Sequence, residues 1–310
     1  MENNIEYIGK VSLDYKYYSG EDLYKDGSEE ELLDIVRNAD ESEYNKIIEE
    51  KKSWPILYHL SDIRGNIVDW IPFTKEDSVL EIGAGCGAIT GTLANRAGYV
   101  DCIELSKARS LVNAERHKSS DNINIIVGNF QDIEKDIEKK YDYITLIGVL
   151  EYAASYIESD TPYEEFLNII KGHLKPDGKI IIAIENKYGL KYWAGCREDH
   201  LGTYFSGIEG YVGVDSVRTF SKNGLIKLLT GVGLDDISFY YPYPDYKLPL
   251  SIYSDDFLPQ EGSLNNNFRN FDNDRMLIFD ESKVFDNLIG DGMFDIFSNS
   301  FLVLAGREGA

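Results

Sequence analysis

The stretch Val79-Leu80-Glu81-Ile82-Gly83-Ala84-Gly85-Cys86-Gly87 constrains the fold more than any other, because a buried apolar strand passes through a carboxylate into a glycine-rich turn. Glycines at alternate positions let a backbone turn sharply and approach a ligand closely, and a helix that follows points its free N–H groups at whatever sits there. The turn is therefore a seat for a nucleotide-like ligand. Gly83, Gly85 and Ala88 also satisfy the G-x-G-x-x-G/A spacing of dinucleotide sites, so spacing leaves NAD and other adenosyl cofactors open. Glu81 separates them. A carboxylate beside the turn repels a pyrophosphate but suits a ligand with an ammonium group, as at the methionine end of S-adenosylmethionine.

Gly98-Tyr99-Val100-Asp101-Cys102-Ile103-Glu104 reads as the next strand, with Glu104 near the position, roughly 20 residues on, of a ribose-binding acid. The same two acids would also serve as a solvated strand end and a helix-dipole partner. Strands at Val79–Ile82, Tyr99–Ile103, Ile123–Val127, Tyr143–Ile147 and Ile180–Ile184, with helical stretches between most of them, form the βαβ pattern of parallel crossovers. Thr161, Pro162 and Glu164 have the spacing of a capped helix start, and Ser221 opens a helix that Gly231 closes. Ile237–Tyr241 and Phe301–Ala305 read as two further strands separated by a long connection. Before the glycine turn, Glu29-Glu30-Glu31 opens a helix within an acidic stretch.

With 310 residues and 43% hydrophobic side chains, the chain can bury one large α/β core. Its 31 basic against 54 acidic side chains give a formal charge of −23, which repels a phosphate backbone and argues against a nucleic-acid substrate. Cys86, Cys102 and Cys196 have no C-x-x-C spacing and cannot all pair, so a reducing, cytoplasmic setting is expected. The first residues lack a basic run, and no apolar run approaches the roughly 18 residues of a membrane span.

From Ser78 to Leu234 the chain resembles the class I S-adenosylmethionine-dependent methyltransferases. Besides the glycine turn, the resemblance rests on Tyr141-Asp142-Tyr143-Ile144-Thr145-Leu146-Ile147-Gly148-Val149-Leu150-Glu151-Tyr152, where Tyr152 stands in place of a common histidine. It rests also on Leu174-Lys175-Pro176-Asp177-Gly178-Lys179 running into Ile180–Ile184, and on Gly128-Asn129-Phe130-Gln131-Asp132, where Asn129 replaces a usual aspartate at the adenine. The resemblance implies an α/β, Rossmann-like, seven-stranded and mostly parallel sheet with helices on both faces. It places an N-terminal helical extension at residues 1–75, the methyltransferase domain at 76–310 and an insertion at about 244–296, before the last strand. The implied cofactor is S-adenosyl-L-methionine. The candidate residues around it are Glu81, Gly83, Ala84, Gly85, Gly87, Glu104, Leu105, Asn129, Phe130 and Gly148, with Arg64 reaching the methionine carboxylate.

The segment Glu185 to Tyr211, dense in aromatic, charged and glycine residues, resembles together with Tyr241–Tyr246 and Phe297–Phe301 the methyltransferase modules of bacterial surface-polysaccharide and glycan biosynthesis. That resemblance implies O-methylation of a small-molecule saccharide or glycan-linked acceptor, with a glycosyltransferase as partner. A sugar hydroxyl needs a base. His200, flanked by Glu198 and Asp199, is the candidate, since imidazole titrates near neutrality; as loop residues the three would serve structure alone. No metal is expected, because three adjacent residues rarely converge on one ion without outside ligands. Tyr192, Trp193 and Tyr204 stack on sugar rings or pack. Three other readings stand beside this one: methylation of another small molecule, a nicotinamide-dependent oxidoreductase, and a non-catalytic partner of a glycosyltransferase.

Overall fold

The structure, a computed structural model, describes residues 4–22, 27–267 and 275–309. The chain forms two compact units, one of residues 1–146 with 173–178, the other of 147–172 with 179–310.

In the first unit six strands run in the order β1-β2-β5-β4-β3-β6: β1 (Ile5–Ile8), β2 (Val11–Tyr17), β3 (Ser78–Ile82), β4 (Tyr99–Glu104), β5 (Ile123–Gly128) and β6 (Tyr141–Ile147). Every residue of β3 is buried, Ser78 and Glu81 included, as befits a strand covered on both sides. β3 pairs in parallel with β4 and β6, and β4 in parallel with β5, Leu80 standing opposite both Asp101 and Ile144. Helices α1 (Glu29–Asn38), α2 (Tyr44–Lys51), α3 (Trp54–Leu60), α4 (Thr90–Arg96) and α5 (Lys107–Arg116) complete this unit. Leu32, Ile35, Val36, Tyr44, Ile56 and Leu60 from α1 to α3 pack with Cys86 of the glycine turn and Val112 of α5. The acidic first turn of α1 matches the positive end of its own dipole.

Two corrections belong here. Ten strands are present among the described residues, not seven, and the N-terminal extension is not purely helical. β2 buries Val11 and Leu13 while Ser12 and Asp14 face outward, and it lies parallel to β5 with Ser12 opposite Asn124, whose side chains hydrogen-bond at 2.7 Å. β1 then pairs antiparallel with β2.

In the second unit the order is β7-β10-β8-β9, all antiparallel, from β7 (Leu174–Glu185), whose first residues belong to the other unit, β8 (Asp236–Tyr243), β9 (Ser251–Ser254) and β10 (Ser300–Gly306). Ile180 to Ile184 are wholly buried. The main helices are α6 (Pro162–Gly172), α7 (Lys222–Gly231) and α8 (Glu281–Gly290). The Ser221 side chain caps α7 by accepting from the Gly224 N–H at 3.2 Å, as its sequence position predicts. The expected insertion at 244–296 holds β9, α8 and a helical turn at Phe294–Phe297, and its residues 268–274 lie outside the described residues.

Candidate functional site

The glycine turn joins β3 to α4 in the first unit. Gly83, Gly85 and Gly87 all have positive φ, at 72°, 55° and 78°, where a side chain is strained. A Cβ on Gly87 would meet Asn113 Oδ1 at 2.4 Å, whereas one on Gly85 would meet only open space. The two glycines therefore serve different ends: Gly87 lets α5 pack against the turn, and Gly85 leaves room above it. The Gly83 N–H donates to the Ile103 carbonyl at 2.9 Å, and Ala84 shares that acceptor at 3.2 Å. On the far side, the His117 Nε2 donates to the Gly87 carbonyl at 2.9 Å; burial, with Arg116 beside it, lowers this imidazole to about 4, so it is neutral at physiological pH.

Both acids sit at this turn and both are buried. Glu104 accepts the Gly85 N–H on Oε2 at 2.8 Å and the Ser106 N–H on Oε1 at 2.9 Å, so it fixes the turn while keeping lone pairs for a ligand hydroxyl. Burial raises its carboxyl, and those backbone N–H groups oppose the rise. Glu81 accepts from the Thr90 hydroxyl at 2.6 Å and contacts the Cys102 thiol at 3.5 Å. Burial pushes it up to about 7, with Glu104 adding to the rise and Arg64 opposing it. Arg64 is buried in the turn after α3; its guanidinium lies 4.1 Å from the Tyr58 ring centre and donates to the Tyr58 hydroxyl at 3.2 Å. Asn129 spends its side-chain oxygen on the Gln131 N–H at 3.2 Å, leaving its amide N–H₂ as the group able to face a base. Phe130 is buried edge-on to His173, and Leu105 is half-buried beside Glu104.

Gly148 falls in the second unit, with φ 71° and its N–H on the Ala183 carbonyl at 2.9 Å. Here lies a dense buried cluster. Glu185 ends β7 with no exposure; its Oε2 is 3.3 Å from His200 Nε2 and its Oε1 2.6 Å from Lys247 Nζ. His200 Nδ1 is 2.9 Å from the Tyr152 hydroxyl. Asp199 binds Lys247 at 2.5 Å, Lys191 at 3.0 Å and the Tyr192 hydroxyl at 2.6 Å, and Lys191 also binds Asp245 at 2.7 Å. Burial raises and the two lysines lower the Asp199 carboxyl, which ends at about 2. Glu198 holds the loop: its Oε2 accepts the N–H groups of His200 and Leu201, both at 2.8 Å, and its Oε1 the Tyr211 hydroxyl at 3.0 Å.

Glu198, Asp199 and His200, adjacent in sequence, thus diverge onto separate partners. Both ring nitrogens of His200, expected as the general base, are engaged, Nε2 with Glu185 at 3.3 Å and Nδ1 with Tyr152 at 2.9 Å. Burial lowers and Glu185 more than restores its basicity, to about 9, so it already carries the proton it would have to accept. Sequence reasoning missed Glu185, although it bears the signature that singled out Glu81 and Glu104, an acid at the end of a buried apolar strand. It also missed Glu151, which is buried in the turn after β6, and Lys247, which sits in the insertion with no local signal.

Residues 80–180 match the family model described as "Methyltransferase domain". Over 97 residues the chain is 29% identical to the ribosomal RNA small subunit methyltransferase A of Syntrophus aciditrophicus, covering 31% of this chain and 32% of that protein. Over 63 residues it is 43% identical to a probable ribosomal RNA small subunit methyltransferase A of Methanosarcina mazei, covering 20% and 23%. The chain thus spans about a third or less of the curated relatives it matches. A solved S-adenosylmethionine-dependent methyltransferase from Archaeoglobus fulgidus is similar at 15% identity and a TM-score of 0.49, over 85% of this chain and 100% of that one. The matched segment, about a third of the chain, contains the glycine turn and is similar to a methyltransferase domain. S-adenosylmethionine is the cofactor of such a domain.

Proposed function

We propose that the chain transfers a methyl group from S-adenosylmethionine to a hydroxyl of a saccharide or glycan-linked acceptor. A methyl on a sulfonium is already activated, so the protein has chiefly to align an acceptor atom about 3 Å away, opposite the leaving sulfur. The observation that carries the acceptor class is the segment after β7. It combines a buried set of carboxylates and ammonium groups, able to pair with hydroxyls, with the partly exposed rings of Trp193 and Phe205, flat apolar surfaces that suit sugar faces. Glu81, Gly85 and Glu104, with Arg64, form the cofactor seat in this reading. A glycosyltransferase as partner belongs to it too. So does a reducing cytoplasmic setting, supported by three buried cysteines that form no disulfide among the described residues. No helix among the described residues is long and apolar enough to cross a membrane.

Calorimetric titration with S-adenosylhomocysteine tests the first half. The wild type is expected to bind in the micromolar range and Gly85→Asp at least a hundredfold more weakly, because a carboxylate would enter the open space above the turn beside Glu104. A folded wild type that does not bind overturns the cofactor seat. For the second half, methyl-labelled cofactor is offered with sugar nucleotides, glycans, small amines and RNA. Labelling of a hydroxyl on a saccharide supports the reading; labelling confined to amines or RNA overturns it.

A further inference from the structure

We propose that Glu151, Glu185 and His200 form a binding site for one divalent cation of the manganese or zinc class. One donor atom from each residue lies within 4.8 Å of the other two. Ligand atoms around such an ion at about 2.1 Å stand about 3.0–4.3 Å apart, so small side-chain adjustments close the set. The three come from separate places, the turn after β6, the end of β7 and the loop that Glu198 anchors, which supplies the outside ligands that Glu198, Asp199 and His200 lack among themselves.

A second, independent observation points to a ligand. Both carboxyl oxygens of Glu151 are buried, the residue being 1% exposed, yet neither has a hydrogen-bond partner. Burying such a group without a partner costs several kcal/mol. Its backbone, by contrast, is firmly held, the carbonyl accepting the Arg218 N–H at 3.0 Å and the Tyr163 hydroxyl at 3.3 Å. A buried carboxylate on a held backbone, with neither oxygen hydrogen-bonded, is arranged as a coordinating group is.

The neighbouring charges fit a dication. Lys191 and Lys247 are matched by Asp199 and Asp245, which leaves the two carboxylates Glu151 and Glu185 against one ion when His200 binds as neutral imidazole. Lys247 also touches Glu185, but through Oε1, the oxygen turned from His200. The Tyr152 hydroxyl at Nδ1 fixes the ring, and the ion would take the place of the proton that Nε2 shares with Glu185 at 3.3 Å. Two carboxylates with one imidazole favour manganese or zinc over magnesium or calcium. Three protein donors leave positions open for water or a substrate hydroxyl.

The test uses the full chain stripped with a chelator and titrated calorimetrically with manganese chloride and zinc chloride, with bound metal counted after equilibrium dialysis. One ion per chain is expected for the wild type. Glu151→Gln and His200→Ala are each expected to bind at least tenfold more weakly, and Glu164→Gln, an acid on α6, to bind as the wild type does. A wild-type circular dichroism spectrum and a cooperative urea transition show that each variant is folded; if Glu151→Gln is not, Glu151→Asp replaces it. Less than a fifth of an ion per chain at millimolar metal, or equal affinity in wild type and both ligand variants, overturns the site whether or not the chain methylates a saccharide.

Discussion

At the residue scale the glycine turn depends on the protonation of one carboxyl. Glu81 stands at about 7 in the folded protein against 4.5 ordinarily, raised chiefly by burial. The folded chain therefore keeps a proton that the unfolded chain releases above pH 4.5. The stability this group contributes is fully present below that pH and is lost as pH rises through about 7. Glu81→Gln mimics the protonated form, so at pH 5 the two proteins should unfold at similar urea concentrations. At pH 8 the variant should be the more stable, by about 2–3 kcal/mol. In the opposite sense, the carboxylate is what an ammonium-bearing ligand needs, so the same variant should bind S-adenosylhomocysteine about tenfold more weakly at pH 7.5. A stability gap that is equal at both pH values would show that the carboxyl is not perturbed.

At the scale of elements, α1 is tied to α5 by Glu29 and Arg109, whose side chains meet at 3.2 Å and are only 6% and 11% exposed. Removing one member of a buried pair strands the charge of the other, whereas replacing both with apolar groups is often nearly neutral. Glu29 keeps the Gly27 N–H at 3.0 Å when Arg109 is replaced, so Arg109→Met should lower unfolding stability by about 1–2 kcal/mol, read from urea denaturation; an unchanged midpoint would mean that the pair contributes nothing in solution. The elements differ in how readable they were. β3 and the Ile180–Ile184 stretch of β7 stand out because both faces are covered and apolar residues dominate, broken in β3 only by Ser78 and Glu81. β2 does not, because one apolar face makes a short alternating pattern that lies some sixty residues before the glycine turn and means nothing until β5 is beside it. β9 is polar and short. Among site residues, Glu81 and Glu104 were legible from their strand-end positions. The burial that raises both carboxyls, and the Thr90 hydroxyl that opposes it at Glu81, were not, since they are properties of the packed chain. His200 was legible as a titratable group but not as one already paired, because Glu185 and Tyr152 reach it only through the fold.

At the scale of the whole molecule, the charge of −23 bears on the acceptor proposed above. Curated relatives matched over short segments are named for ribosomal RNA, so RNA is the rival to be tested. Nucleic-acid affinity arises largely from lysine and arginine neutralising phosphates and releasing counterions, and a local basic stripe can supply it even on an acidic protein. Here many of the basic side chains are engaged: Lys16 with Asp136, Lys51 with Glu31, Lys139 with Asp101, Lys175 with Asp142, Lys222 with Asp255 and Asp295, and Lys191 and Lys247 within the buried cluster. Such cations would have to leave a carboxylate to meet a phosphate, and each exchange forfeits most of its gain. A ribosomal RNA hairpin should therefore show no binding below about 100 μM at 150 mM salt, weaker than ordinary non-specific association. Fluorescence anisotropy across 50–200 mM salt reads this directly. Micromolar binding that falls steeply with salt would mean that a basic surface exists which these ion pairs do not quench, and would move the acceptor from saccharide to RNA.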